Sequence, residues 1–191
     1  MTPLLAGLAG WLVVSAVAAG VWRARERPRP WRAIAGRAAG VIVLVLLGAT
    51  QLTVAALAAA ADPAPPVTAW VGLGAAAVSA VLAGGTAAKV VLDLARADGL
   101  TTHTGPGGVL VRRELLRGGA WIGVLERIGV FAALLTWVEG VALVLAIKGL
   151  ARYPELKAGA TSGAAERFII GTLISFGWAG GCAGIGWLIL H

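Results

Sequence analysis

The residues best suited to chemistry are four charged side chains inside a long apolar segment, residues 118–150. They are Glu126, Arg127, Glu139 and Lys148. An ionisable group is costly to place inside a membrane, so it usually faces the protein interior or an aqueous cavity and marks a functional position. Such groups can bind an ion or an anionic substrate, or couple the movement of a proton. The surrounding helices decide at which depth these side chains lie.

No group of residues indicates catalysis or metal binding. The serines lack a His or Asp at a spacing typical of nucleophilic catalysis, and the chain has only two histidines, His103 and His191. His103 and Asp98 lie in a polar segment and are too few to indicate a zinc site. No segment has the GxxxxGK[ST] pattern of a phosphate-binding loop. We therefore expect no catalytic residue, no metal and no cofactor.

The composition indicates a membrane protein. The chain is 59% hydrophobic and 13% charged, against about 25% charged in ordinary soluble domains. Its 28 glycines alternate with Leu, Val and Ile in long apolar runs, where small residues allow membrane helices to approach closely. The net charge of +7 comes from residues beside these runs, which is typical of cytoplasmic helix ends rather than nucleic-acid binding. The single cysteine, Cys182, cannot form an intrachain disulfide.

These features predict an all-α fold, a polytopic transmembrane bundle that forms one domain over residues 1–191. No Lys or Arg precedes the first apolar run, unlike in a signal peptide, so we expect an uncleaved first helix with its N-terminus outside. The third helix is expected to continue past its span towards Gly99, and Pro154 is expected to end the fifth. The predicted spans are residues 4–22, 38–60, 67–88, 119–136, 137–150 and 168–190, with cytoplasmic loops at 23–37, 89–118 and 151–167.

Residues 118–150 allow two topologies. As one helix these 33 residues would be ~50 Å long, well beyond the ~30 Å of hydrocarbon. A single span over residues 128–147 gives five spans and makes Glu139 an intramembrane acid for proton or cation coupling. A helical hairpin that turns between Thr136 and Gly140 gives six spans and places all 16 Lys and Arg residues on the cytoplasmic side or at its boundary. The positive-inside rule favours the hairpin, whose second arm is short and could be re-entrant.

With six spans, the charged side chains gather near the cytoplasmic face, where a Glu-Arg pair occurs at two helix starts. One interpretation is a charged vestibule for an ion or an anionic substrate. The favoured alternative is a set of interfacial ion pairs that orient helices, because each long side chain could extend to water. The members of this candidate cluster are Glu126, Arg127, Lys148, Glu166 and Arg167.

Two further sets of residues have predicted roles. Glycines four residues apart in the last span form a ridge typical of helix packing; they are Gly177, Gly180, Gly181 and Gly184. Arginines that follow the first span are expected to fix the topology and to attract anionic lipid headgroups, at about 1 kcal/mol per basic residue. These are Arg23, Arg25, Arg27, Arg29 and Arg32.

Three motifs in the C-terminal half carry a family resemblance: WIGVLERIGV, AIKGLARYPEL and AERFIIGTLISFGWA. They resemble a group of uncharacterised integral membrane proteins of actinobacteria. More distantly, they are similar to a broader bacterial membrane domain of unknown function that shares G-x-L-E-R, a lysine at a helix end and I-G-T-L-x-S. The resemblance covers residues 118–178 and implies no activity. It implies that the five residues of the candidate cluster belong to the family's pattern.

The sequence favours a non-enzymatic, multi-pass protein of the plasma membrane that acts as an interaction or scaffold subunit. Its expected partners are membrane lipids and either a second copy of the chain or another membrane protein. The alternative is a small transporter or channel that uses the charged cluster, which would need an aqueous cavity. A membrane enzyme acting on lipid comes third, because lipid chemistry normally requires a base or a metal.

Overall fold

The computed structural model describes residues 2–25, 33–62, 65–96, 118–158 and 164–191, and this part of the chain contains helices and no strand. The predicted all-α fold is therefore confirmed. The six helices are α1 (Thr2–Arg25), α2 (Ala33–Ala59), α3 (Pro66–Arg96), α4 (Gly118–Thr136), α5 (Gly140–Ala158) and α6 (Ala164–Leu190).

Four of the helices, α1, α2, α3 and α6, are long and apolar enough to cross a membrane. Their outer surfaces carry large apolar side chains, including Val45, Leu52, Trp70 and Leu173, each more than 60% exposed. A soluble protein rarely exposes apolar surface on this scale, whereas lipid is a favourable solvent for it. The fold is thus that of a membrane protein.

Helices α3 and α6 form an antiparallel pair at the centre of the bundle. Gly72 faces Ile189 near one end of the pair, and Gly171 faces Leu92 near the other. Buried alanines of α3 let the two backbones approach; Ala76, Ala80, Ala83 and Ala87 are at most 1% exposed. Helices α1 and α2 pack on one side of the pair, α4 packs on the other, and α5 lies outermost against α4.

Helix directions alternate through the bundle. Gly7 of α1 meets Leu57 of α2, so these helices are antiparallel, whereas the hydrogen bond between Ser15 and Ser79 joins α1 to a parallel α3. The ends of α1, α3 and α5 therefore lie together with the starts of α2, α4 and α6. We call this the basic end; it includes the helical positions Arg23, Arg25, Arg37, Lys89, Arg96, Arg152, Lys157 and Arg167. Among the described residues, the opposite end carries Asp62 and Glu139 and no Lys or Arg.

Helices α4 and α5 form a helical hairpin, as the sequence predicts. Residues 137–139 make the turn, in which Gly140 N donates to Trp137 O (2.9 Å) and Ala142 N donates to Glu139 O (3.0 Å). Gly140 allows the close turn, because a Cβ there would lie 3.0 Å from the Trp137 ring and 3.1 Å from Ala133 Cβ. The continuous helix over residues 128–147 that five spans require is not formed.

Helices α3 and α5 extend furthest beyond the ends of their predicted spans. Helix α3 continues as far as Arg96, as expected. Helix α5 continues through Pro154 to Ala158, so the prediction that Pro154 ends this helix is wrong. A proline removes one backbone donor and strains the preceding turn, but a helix can continue beyond it. His103 and Asp98 lie outside the described residues.

Candidate functional site

Two adjacent charged residues of α4 point to different neighbours. Successive residues of a helix are about 100° apart around its axis. Glu126 therefore faces α5, where it contacts Lys148, while Arg127 faces α3 and α6. The structure thus divides the predicted cluster into two sites, an ion pair on one side of α4 and a buried guanidinium on the other.

The ion pair joins the two arms of the hairpin. Lys148 Nζ donates to Glu126 Oε2, and the two side chains are 16% and 14% exposed. The ammonium group also lies 5.1 Å from the centroid of the Phe176 ring and 5.9 Å from that of Phe168, both on α6. A cation at these distances is attracted by the ring faces. Both charges of this site are therefore compensated within the chain.

Arg127 is enclosed by three helices. Its side chain is 8% exposed and lies against two consecutive glycines of α3, Gly84 and Gly85. On the other side, Nη1 donates a hydrogen bond to Ser175 Oγ of α6 at 3.4 Å. Ser175 itself is buried. The guanidinium therefore sits at the junction of α3, α4 and α6.

The two glycines of α3 are what makes room for this side chain. A Cβ at Gly84 would lie 2.9 Å from Arg127 Cδ, and a Cβ at Gly85 would lie 3.1 Å from Nη2. Real Cβ atoms are rarely this close to another atom. Any other residue at Gly84 would have to displace Arg127 or α3. The glycine pair is thus a cradle for the arginine.

The charge of Arg127 has little compensation within the described part of the chain. No carboxylate there forms an ion pair with it, Nε has no hydrogen-bond partner, and the nearest acid in sequence, Glu126, is paired with Lys148. A buried cation without a counterion costs on the order of several kcal/mol. The site is therefore electrostatically incomplete.

Arg127 also lies deep in the bundle. Its hydrogen-bond partner Ser175 comes ten residues after Ala165, where the span in α6 begins, which is ~15 Å at 1.5 Å per residue. Half of the hydrocarbon thickness is about the same length. That every charged residue of the cluster could extend to the headgroups stays a prediction; the Arg127 side chain turns inward and is covered by α3 and α6.

The other predicted charged residues lie apart from this site. Glu166 and Arg167 are exposed in the first turn of α6. Glu139 is exposed in the turn of the hairpin, at the opposite end of the bundle. Arg23 is exposed, and Arg25 belongs to the last turn of α1. Arg27, Arg29 and Arg32 lie outside the described residues.

The four glycines of the predicted α6 ridge have different surroundings. A Cβ at Gly181 would collide with Gln51 Nε2, and one at Gly180 would make an ordinary contact with Leu134 at 3.5 Å. At Gly177 and Gly184 an added Cβ would meet nothing within 4 Å. The predicted close helix packing is therefore not observed at Gly177 and Gly184. Regular spacing identifies which residues share a helix face, but it does not show which neighbours that face contacts.

The sequence analysis missed most residues that surround Arg127. Gly84 and Gly85 were treated only as part of an apolar span, and Ser175 was considered only as a nucleophile. Two features could have indicated them. Consecutive glycines in the middle of a long apolar helix are costly unless something packs there, and Ser175 belongs to the I-G-T-L-x-S motif of the resemblance.

Within the part of the chain that the structure describes, no group of three or more His, Cys, Asp or Glu residues could hold a metal ion. In comparisons with known proteins, no family model matches the sequence, and neither a curated protein nor a solved structure shows significant similarity to it.

Proposed function

We propose that this membrane protein is a small transporter or channel for an anionic solute, which binds at Arg127 in the interior of the bundle. The observation that carries the proposal is the buried guanidinium, with one hydrogen bond to Ser175 and no carboxylate paired with it among the described residues. An ionisable residue inside a membrane bundle marks a solute or ion pathway by default. A positive charge without a counterion selects for an anion.

The position of Arg127 favours a small solute over a partner chain. A carboxylate on a neighbouring protein would have to reach the guanidinium through the junction of α3, α4 and α6, where Arg127 is 8% exposed. A small anion needs only a local opening. The outer surfaces of the bundle are apolar and suit lipid and protein equally, so the role of an interaction subunit stays a prediction, as does lipid chemistry.

The neighbouring ion pair has a supporting role in this proposal. Because Glu126 is held by Lys148 on the α5 side of α4, it forms no ion pair with Arg127 and acts on the guanidinium only through the longer-range attraction of its charge. The pair also fastens α5 to α4. Arg127 is enclosed in this conformation, so passage of a solute requires a second conformation in which the cradle is accessible from one end of the bundle.

We further propose that the basic end faces the cytoplasm of a plasma membrane, with both termini outside. In support, Lys and Arg residues at helix ends gather at one end of the bundle, and the positive-inside rule places such an end in the cytoplasm. The test uses Cys182→Ala with one cysteine introduced at Lys157. We expect protection from a membrane-impermeant thiol reagent in intact cells and labelling after lysis. Labelling in intact cells would contradict this orientation.

Flux measurements on the purified protein in liposomes test the transport proposal. Vesicles loaded with chloride, nitrate, sulfate or acetate would be compared for the wild type, Arg127→Gln and the matched control Arg23→Gln, which removes an exposed arginine. We expect anion efflux from the wild type and the control, and at least a tenfold slower efflux from Arg127→Gln. Equal efflux from Arg127→Gln, or no efflux of any anion from the wild type, would overturn the proposal. Circular dichroism and size-exclusion chromatography establish that each variant is folded.

A further inference from the structure

Three residues with hydrogen-bond donors follow one another along α6, and the middle one contacts Arg127. They are Thr172, Ser175 and Trp178, at intervals of three residues, and we call them the donor face. Ser175 accepts the hydrogen bond from Arg127 Nη1 and keeps its own proton to donate. The Trp178 ring lies against Gly84, the residue that also touches Arg127 Cδ; its Cδ1 atom would be 3.3 Å from a Cβ there. Trp178 and the guanidinium therefore share the cradle on α3, and Ser175 contacts the guanidinium directly.

Three donors in this region are buried and lack a hydrogen-bond partner. Thr172 Oγ1, Trp178 Nε1 and Arg127 Nε are buried without a hydrogen-bond partner. By contrast, other helical threonines donate to a carbonyl of their own helix, each at 2.8–2.9 Å: Thr50, Thr53, Thr86 and Thr136. Thr172 is 6% exposed, and a buried hydroxyl without a partner costs about 1–3 kcal/mol. Its donor is therefore available for a ligand.

The site is rich in donors and poor in acceptors. Arg127 and Trp178 can only donate, and the hydroxyls of Thr172 and Ser175 can each donate a proton as well. The glycine cradle of α3 adds no side chain. A ligand that accepts hydrogen bonds from several directions and carries negative charge would satisfy all these groups together. A neutral or proton-donating ligand would leave them unsatisfied.

We infer that this site binds a small, singly charged inorganic anion, such as chloride or nitrate, between Arg127 and the donor face of α6. The inference rests on the proposed function and deepens it by naming the class of solute. One guanidinium balances one negative charge, so sulfate or hydrogen phosphate as dianions would leave a net charge buried, which is costly. The enclosure of Arg127, which is 8% exposed, also disfavours a bulky organic anion.

Binding in detergent solution provides the test. The unfolding temperature of the wild type would be measured against rising chloride, nitrate, sulfate and acetate at constant ionic strength. A ligand that binds the folded state raises this temperature with its concentration. We expect chloride and nitrate to stabilise the wild type, sulfate to have no specific effect, and Arg127→Gln to lose the chloride response.

Two variants that remove one donor each locate the bound anion. Thr172→Val and Trp178→Phe should each weaken the chloride affinity roughly tenfold, the loss expected for one hydrogen bond to a charged group. The matched controls are Thr53→Val, an exposed threonine of α2, and Trp11→Phe, whose Nε1 is also buried without a partner but belongs to α1. Both controls should bind chloride like the wild type. If all four variants respond alike, the donor face does not hold the anion and the inference is overturned.

Failure of this inference is distinguishable from failure of the proposed function. Stabilisation by sulfate or acetate that depends on Arg127, without a response to chloride or nitrate, would overturn the inference and leave anion transport standing. If no anion gave a response that Arg127→Gln abolishes, and no anion flux were observed, both would be overturned.

Discussion

Two adjacent charged residues of α4 have contrasting surroundings. On the α5 side, Glu126 is paired with Lys148, and two aromatic rings of α6 lie near the ammonium group. On the α3 side, Arg127 has a glycine cradle and one hydrogen bond to Ser175. Glu126 and Arg127 are adjacent in sequence. The chain itself compensates the charge of Glu126, whereas Arg127 has no paired carboxylate among the described residues.

This difference distinguishes a structural ion pair from a candidate ligand-binding group. The ion pair has what a structural contact needs, since both partners come from the same hairpin and each satisfies the other. The guanidinium is buried at a cost and sits among donors that cannot compensate its charge. A group of this kind is retained when a ligand supplies the missing charge. The comparison therefore predicts different responses to mutation on the two sides.

The largest expected effect is on the ion-pair side. Glu126→Gln leaves the Lys148 ammonium in a largely buried position without its partner, and should lower the free energy of unfolding by about 3 kcal/mol, since both side chains keep some exposure. The double variant Glu126→Gln/Lys148→Met removes both charges and should recover most of the loss. Denaturant unfolding in detergent micelles measures both. A double variant as unstable as Glu126→Gln would show that the pair is not a structural ion pair.

A smaller effect is expected at the cradle. Gly84→Ala places a Cβ 2.9 Å from Arg127 Cδ and 3.3 Å from Trp178 Cδ1, and such overpacking costs about 1–3 kcal/mol. Gly74→Ala is the matched control on the same helix, because a Cβ there meets nothing within 4 Å; it should be neutral or slightly stabilising. Thermal unfolding of both variants gives the comparison. Equal stability of the two would mean that Arg127 does not fill the cradle.

The smallest effect concerns the aromatic contacts of Lys148. A double-mutant cycle of Phe176→Leu with Lys148→Met isolates their interaction from the loss of ring volume. At 5.1 Å from the ring centroid, we expect a coupling of about 0.5–1 kcal/mol. The same cycle with Phe168→Leu, at 5.9 Å, should give a smaller coupling. A coupling at Phe168 that exceeds the one at Phe176 would contradict the observed arrangement.

The sequence predicts the architecture well because membrane spans follow from apolar length and from the placement of basic residues. The hairpin of α4 and α5 is an example, since the number of apolar residues was too large for one span and the charges beyond it required a return. The turn of this hairpin lies directly before Gly140, within the predicted range. The sequence does not indicate that α5 extends past Pro154, because a proline weakens a helix without excluding its continuation.

The candidate site was less predictable, because the position of a residue along a helix does not show which neighbouring helix its side chain contacts. Glu126 and Arg127 were grouped with Glu166 and Arg167 by their similar distance from the basic end. The structure separates them by the neighbours that each meets, which a single sequence does not encode. The contact of Trp178 with the Gly84 cradle depends on how α6 packs against α3, which a single sequence does not show.

The stability of Arg127→Met in low-salt detergent buffer tests the central claim most directly. If the charge is uncompensated by the chain, its removal relieves the cost of burial, and the free energy of unfolding should stay within about 1 kcal/mol of the wild type or rise. Met keeps most of the side-chain volume in the cradle. A loss of about 3 kcal/mol or more, as expected for Glu126→Gln, would show that the chain itself compensates Arg127 and that the guanidinium is structural.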